Sequence, residues 1–367
     1  MPPRILILTA AFGEGHNSAA KNLALALGEL GAEARVEDPC LLGAPAATRT
    51  LSKGYRLVTT YSPRFWELLY KHTGDVDFSK QRLPLMRRPE REVERLIEEF
   101  QPQAIVSTYP LYPYFLERIF ESRGSTLPSF TVVTDSIEVN PAWTQAPTDG
   151  WLVTDAATRT AMIEAGLDAA RITETGFPVN PSFSRLTPVP ADDSCDPFKV
   201  IYFTTAKVPH VRRIAKAILN ASPRTQVTLV LGKNVRLLYA KAHEIKERFP
   251  GRVTLKGWTR KVPQLLNSHH LVIGKAGGAT VHEAIAACCP MLVHHLVPGQ
   301  EEGNLALLRQ IGGGEYAPGP EAIGRHLSDM LADRAGGWRA MKHALSRHGR
   351  NAGALAAARF VLGRIGH

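Results

Sequence analysis

No run of about 18 to 20 apolar residues occurs in this sequence, so nothing in it reads as a membrane span. Cysteine is scarce, at four positions: Cys40, Cys195, Cys288 and Cys289. The adjacent pair Cys288-Cys289 fits neither a C-x-x-C metal site nor a disulfide framework. A reduced, cytoplasmic compartment is the simplest reading. Acidic residues are in deficit, 34 against 44 basic ones, which leaves a net charge of +10. That balance suggests an anionic partner: a nucleotide, a nucleic acid or an anionic lipid surface. No arginine-rich helix or aromatic-basic motif is present, which argues against nucleic acid. Repeats and low-complexity tracts are absent too. The opening run Ile5-Leu6-Ile7-Leu8 is too short for a signal-peptide core and reads as a buried strand.

What is there describes two α/β domains. At 367 residues the chain exceeds one ordinary core. Arg4 to Thr9 reads as a strand, Gly13 to His16 as a turn, and Leu23, Leu27 and Leu30 recur at helical spacing. Ala32 to Asp38 is a second strand, completing a βαβ opening. Residues 41–88 are less regular, with aromatics between Tyr55 and Tyr70 and bases from Lys80 to Arg88. Pro89 starts a helix through Phe100, and strands and helices alternate from there to Ala165. Residues 182–198, with Pro188, Pro190 and Pro197, break the pattern. A second series follows, with strands near Val200, Val227, Arg252, Leu271 and Met291, which implies mostly parallel sheets. The expected organisation is a first domain over 1–185, a linker over 186–198, and a second domain over 199–350. A terminal helix over 351–367 can pack back on the first domain.

Four stretches can carry chemistry. Gly13-Glu14-Gly15-His16 lies at a strand-to-helix junction, where glycines admit a ligand and His16 could take a hydroxyl proton. As a bare G-x-G it reads equally as a tight βα turn. Gly274 to Glu283 follows an apolar strand and opens a helix. Gly277 and Gly278 permit phosphate approach, Thr280 can bond phosphate or cap the helix, and Glu283 can accept from ribose hydroxyls. Pro298 to Asn304 puts Gln300, Glu301 and Asn304 on a loop beyond a strand's C-terminal edge, with donors and acceptors for sugar hydroxyls. Thr134-Asp135-Ser136 ends another strand; Asp135 could be a base, could orient His16, or could form an Asx turn.

Together these stretches resemble the monogalactosyldiacylglycerol synthases and processive diacylglycerol glucosyltransferases and, more distantly, the N-acetylglucosaminyltransferase of peptidoglycan synthesis. The matching motifs are Gly13 to Ala20, Val132 to Asp135 with Trp143, Gly176 to Val179, Gly257-Trp258, Gly274 to Glu283, and Pro298 to Glu301 with Asn304. The resemblance implies a GT-B fold of two Rossmann-like domains facing a cleft, and inverting transfer from a UDP-sugar without a required metal or other cofactor. It places His16 and Asp135 in the chemistry, with Gly13, Gly15, Tyr109, Asn140 and Trp143 on the acceptor side. Gly257 and Trp258 would meet uracil, Glu283 the ribose, and Gln300, Glu301 and Asn304 the sugar or diphosphate. The chain departs from the family where Tyr202 to Lys207 replaces a glycine-rich phosphate loop; Thr204 and Thr205 could contact phosphate there. Asn140 and Ser107 to Leu111 replace a His and a His-Pro-Leu sequence on the acceptor side.

The expected function is hexosyl transfer from a UDP-sugar to a diacylglycerol-like hydroxyl. The expected place is the inner face of the cell membrane, held at an anionic surface by Phe65, Trp66, Arg82, Arg87 and Arg88. A non-lipid acceptor, a UDP-sugar 2-epimerase and an inactive nucleotide-sugar binder are the alternatives.

Overall fold

The computed structural model describes residues 1–367 except 63–64, 66–83, 193–194, 206–207 and 351–352. The expected membrane residues Trp66 and Arg82, and Lys207 of the altered phosphate loop, lie outside the described residues. The chain forms two compact units. The first is Met1–Pro181 with Val297–Gly303 and Asn351–His367; the second is Ser182–Leu296 with Asn304–Arg350.

The first unit is built on a sheet of β1 (Arg4–Leu8), β2 (Glu33–Glu37), β3 (Ala104–Ser107), β4 (Ser129–Val132), β5 (Gly150–Val153) and β6 (Ile172–Glu174). Their order is β2-β1-β3-β4-β5-β6, with every pairing parallel. Ile5 to Leu8 are fully buried, as a central parallel strand covered on both faces requires. One face is closed by helix α1 (Glu14–Glu29) and by the final helix Gly353–Arg364. Leu23 and Leu27 of the one pack with Ala354, Ala357 and Val361 of the other against Ile5 and Ile7. The opposite face carries Leu6 and Leu8 beneath Val93, Leu96, Tyr112 and Phe115.

The stretch read as irregular holds two helices, α2 (Pro39–Gly43) and α3 (Pro45–Tyr61). Hydrophobic spacing fails to show α3 because its buried positions are hydroxylic. Thr48 donates to the Cys40 carbonyl at 2.6 Å, Ser52 to the Ala11 carbonyl at 3.0 Å, and Thr59 to the Tyr55 carbonyl at 2.9 Å. Its leucines are among the more exposed positions: Leu51 and Leu57 are 49% and 58% exposed.

The second unit repeats the plan with β7 (Phe198–Phe203), β8 (Thr225–Val230), β9 (Val253–Lys256), β10 (Leu271–Lys275), β11 (Met291–His295) and β12 (Gly314–Tyr316). Its order is β12-β11-β10-β7-β8-β9, again parallel. The core gathers Val200, Tyr202, Leu229 and Ile273 under Trp338, whose indole donates to the His270 carbonyl at 2.6 Å. Strand order reverses between β1 and β3 in the first sheet and between β7 and β10 in the second. Open parallel sheets bind ligands beyond the strand C-termini at such points.

The unit boundaries differ from the sequence expectation at two places. The first unit ends at Pro181, and the loop Val297–Gly303 groups with it. Gly303 explains the second difference: a Cβ at this position would collide with the Ser136 carbonyl oxygen, so only glycine lets the loop lie this close.

Candidate active site

In the first unit the loops after β1 and β3 meet at the reversal of strand order. Gly13 caps α1 with φ 130° and ψ 146°, backbone that side chains other than glycine's hydrogen rarely adopt. Asp38, after β2, fixes the same loop: its carboxylate accepts from Ala11 N and Leu41 N, both at 2.9 Å. His16 therefore stands in the first turn of α1 in a set position. Its ring is buried, Nδ1 shares a 3.0 Å hydrogen bond with Thr134 Oγ1, and Thr108 Oγ1 donates to its carbonyl at 3.2 Å. Tyr109 meets it edge-on at 5.2 Å and Trp143 packs at 5.8 Å between centroids. Burial pushes the His16 pKa down to about 4, against a smaller opposing effect of the Thr108 backbone. The imidazole is neutral at physiological pH.

Asp135 follows Thr134. Trp143 Nε1 donates to its Oδ2 at 2.8 Å. Trp143 is held in turn by a short 3-10 helix, Pro141–Trp143, that Asn140 caps by accepting from Ala142 N at 2.9 Å. Five of the expected residues, His16, Tyr109, Asp135, Asn140 and Trp143, border one chamber of about 650 Å³. Most of its wall is apolar, including Phe12, Ala47, Leu51, Val58, Met86 and Leu111. Sequence reasoning missed the contribution of α3, for the reason given above. It also assigned Gln300 to the donor. Here Gln300 borders the chamber and its Oε1 accepts from Tyr55 Oη at 2.9 Å. Gly15 lies in the first turn of α1 with open space where a Cβ would stand.

In the second unit, Gly277 is the N-cap of the helix Gly278–Ala286 that follows β10, and Thr280 stands in its first turn. One turn further, Glu283 keeps some exposure, yet the protein packed around its carboxyl pushes the pKa up to about 8. Asn304 is buried and donates to the Ala276 carbonyl at 3.0 Å, which ties the start of helix Glu302–Ile311 to the glycine turn. Its Oδ1 is buried with no hydrogen-bond partner among the described residues. Thr204, after β7, donates its hydroxyl to the Val230 carbonyl at 3.1 Å, with Thr205 beside it. Gly257 and Trp258 follow β9; the indole is exposed, with the Arg260 guanidinium 5.5 Å from its centroid. Glu301, on the loop Val297–Gly303 that belongs to the first unit, turns inward and accepts from Val297 N at 2.9 Å, closing its own loop.

Residues 16–179 match the family model of monogalactosyldiacylglycerol (MGDG) synthase, a stretch that runs from His16 through Asp135 and Trp143 to Val179. The rest of the chain is similar to these synthases too. It is 26% identical over 373 residues to the chloroplastic MGDG synthase of Spinacia oleracea, covering 95% of this chain and 70% of that one. It is 25% identical over 339 residues to the processive diacylglycerol beta-glucosyltransferase of Bacillus licheniformis, covering 90% and 87%. The crystal structure of Acinetobacter baumannii MurG superimposes with a TM-score of 0.66 at 12% identity, over 99% of this chain and all of that one. The two Rossmann-like units thus form the GT-B fold, as the resemblance in the sequence implies.

Proposed function

We propose that this chain transfers a hexosyl group from a UDP-sugar to the hydroxyl of a diacylglycerol-like lipid, with inversion at the anomeric carbon. The supporting observation is the chamber: a neutral buried imidazole and a carboxylate border a space whose wall is otherwise mostly apolar. Such a space suits an acceptor with one reactive hydroxyl and a long hydrocarbon part. The acceptor oxygen attacks the anomeric carbon as the sugar–phosphate bond breaks. Its proton passes to His16 or Asp135, and UDP leaves with the bonding electrons. On the donor side, amides at the start of helix Gly278–Ala286 face the diphosphate, and Glu283 takes the ribose hydroxyls. Thr204 and Thr205 stand in for the family's glycine-rich loop. No metal or other cofactor takes part, and no nucleic acid is a partner.

The acceptor requires a bilayer, so the protein works as a peripheral enzyme on the cytoplasmic face of an anionic membrane. No helix among the described residues is long and apolar enough to cross one. The test is incubation with UDP-glucose or UDP-galactose and diacylglycerol in anionic vesicles, with and without EDTA, followed by lipid and sugar analysis. A glycosylated lipid formed at equal rates in both samples is the expected product. A free epimerised sugar nucleotide, or transfer only to water-soluble acceptors, refutes the reading.

A further inference from the structure

We infer that the chamber of the first unit seats one acyl chain of the acceptor, and that helix α3 sets how long that chain can be. This rests on the lipid reading above and goes beyond it by naming the residues that measure the substrate. The chamber's volume, about 650 Å³, is that of a site for a whole small ligand, far more than a sugar-accepting hydroxyl needs. The excess volume is bordered by hydrocarbon, so water gains little there and a methylene chain gains its full transfer energy.

Helix α3 forms a long wall of this space through Ala47, Leu51, Gly54 and Val58, residues spaced at three and four along one stripe. Two of these are the smallest side chains available. At Gly54 a Cβ would meet no atom within 4 Å. The gap at Gly54 is not explained by backbone geometry, since its φ lies outside the left-handed region and glycine in a helix interior costs about 1 kcal/mol against alanine. Room in the chamber is what the glycine supplies.

The outer side of the same helix fits an anionic lipid surface. Leu51 borders the chamber and yet is 49% exposed, which marks it as part of the mouth. Leu57 and Tyr61 are exposed further along, and Arg49, Lys53 and Arg56 are exposed beside them. The helix contains no acidic residue. An exposed face that mixes leucine, tyrosine and cations complements an anionic bilayer. A chain entering at Leu51 would leave the membrane and reach hydrocarbon again within the protein.

The experiment uses Gly54→Leu in the full chain, with monoacylglycerols carrying hexanoyl, octanoyl and decanoyl chains, kept monomeric in water. Monomeric acceptors matter, because a chain taken from a bilayer is already out of water and its length would cancel. Wild-type kcat/KM is expected to rise about fourfold per methylene until the chamber is full. Gly54→Leu should lose that rise at the longer chains, while its melting temperature is unchanged or higher. A second readout needs no turnover: acceptors brominated along the chain should quench the fluorescence of Trp143, which borders the chamber, in wild type and not in Gly54→Leu. Quenching without sugar transfer would keep the chamber assignment and refute the function proposed above. An unchanged chain-length slope in Gly54→Leu, or equal quenching in both proteins, overturns the inference.

Discussion

With Glu283 on the donor ribose, as proposed above, donor binding becomes a proton-linked event. Its carboxyl ordinarily titrates near 4.5 and is pushed up to about 8 by burial. At pH 7 about nine-tenths of the unliganded protein then carries the proton. Two ribose hydroxyls that donate to Glu283 require the ionised form, so binding must expel that proton. The expected release is about 0.9 proton per UDP-glucose at pH 7, and affinity rises about tenfold between pH 7 and pH 9. Titration calorimetry in buffers of different ionisation enthalpy reads the release directly. UDP-glucose is the right probe because its diphosphate is esterified at both ends, whereas the terminal phosphate of UDP titrates near neutrality on its own. The control is Glu283→Gln, which should bind more weakly at high pH and lose both the release and the pH dependence. Stability has a definite sign as well. The folded chain holds this proton up to about pH 8 and the unfolded chain only up to about 4.5, so Glu283 makes the unliganded fold less stable as pH rises through that window. Buffer-independent heats and a flat affinity from pH 7 to 9 would refute the assignment of Glu283 to the ribose.

Three further outcomes follow from the geometry. His16→Ala should lower kcat by about a hundred- to ten-thousandfold while the dissociation constant for UDP-glucose holds, and a loss seen only in donor affinity would remove His16 from the chemistry. Trp143→Phe deletes the 2.8 Å bond to Asp135 Oδ2. If that bond orients Asp135 for the reaction, kcat should fall while the dissociation constant for UDP-glucose holds, and an unchanged kcat would remove the Trp143–Asp135 pair from the chemistry. His16, His270 and His294 are each pushed from 6.5 down to about 4, mainly by burial. The unfolded chain therefore takes up protons that the folded chain refuses between pH 6.5 and about 4, and the urea midpoint should fall across that range. Equal midpoints at pH 7 and pH 5 would count against all three being neutral.

The strands were legible because central parallel strands are continuous apolar runs, as in Ile5 to Leu8 and Leu271 to Ile273. The edge strands β6 and β12 were not, being three residues each with a charged residue in the middle or at the end. Residues that border the chamber were legible as separate motifs: His16 at a glycine turn, Asp135 at a strand end and Trp143 shortly after. The chamber that gathers them was not. Part of its wall belongs to α3, whose most buried positions are Thr48, Ser52 and Thr59 and whose chamber-facing stripe holds the small residues Ala47 and Gly54, so its polarity does not announce a buried helix. Gln300 shows the same limit, since a loop grouped by sequence with the second sheet contributes its side chain to the first unit.

The last helix has a consequence for how the protein is made. Ala354, Ala357 and Val361 belong to the same core as β1, which precedes them by the whole length of both sheets. At about 5–20 residues per second, the β1 layer waits with only α1 on this face while more than 340 further residues are translated. Ser182–Leu296 and Asn304–Arg350 are all synthesised before Gly353, so every residue of the second unit precedes the helix that completes the first. A nascent chain stalled before Gly353 would expose alanine and isoleucine surface that the finished protein never shows. Chaperone demand during synthesis should therefore fall on the N-terminal half, the half translated first and completed last.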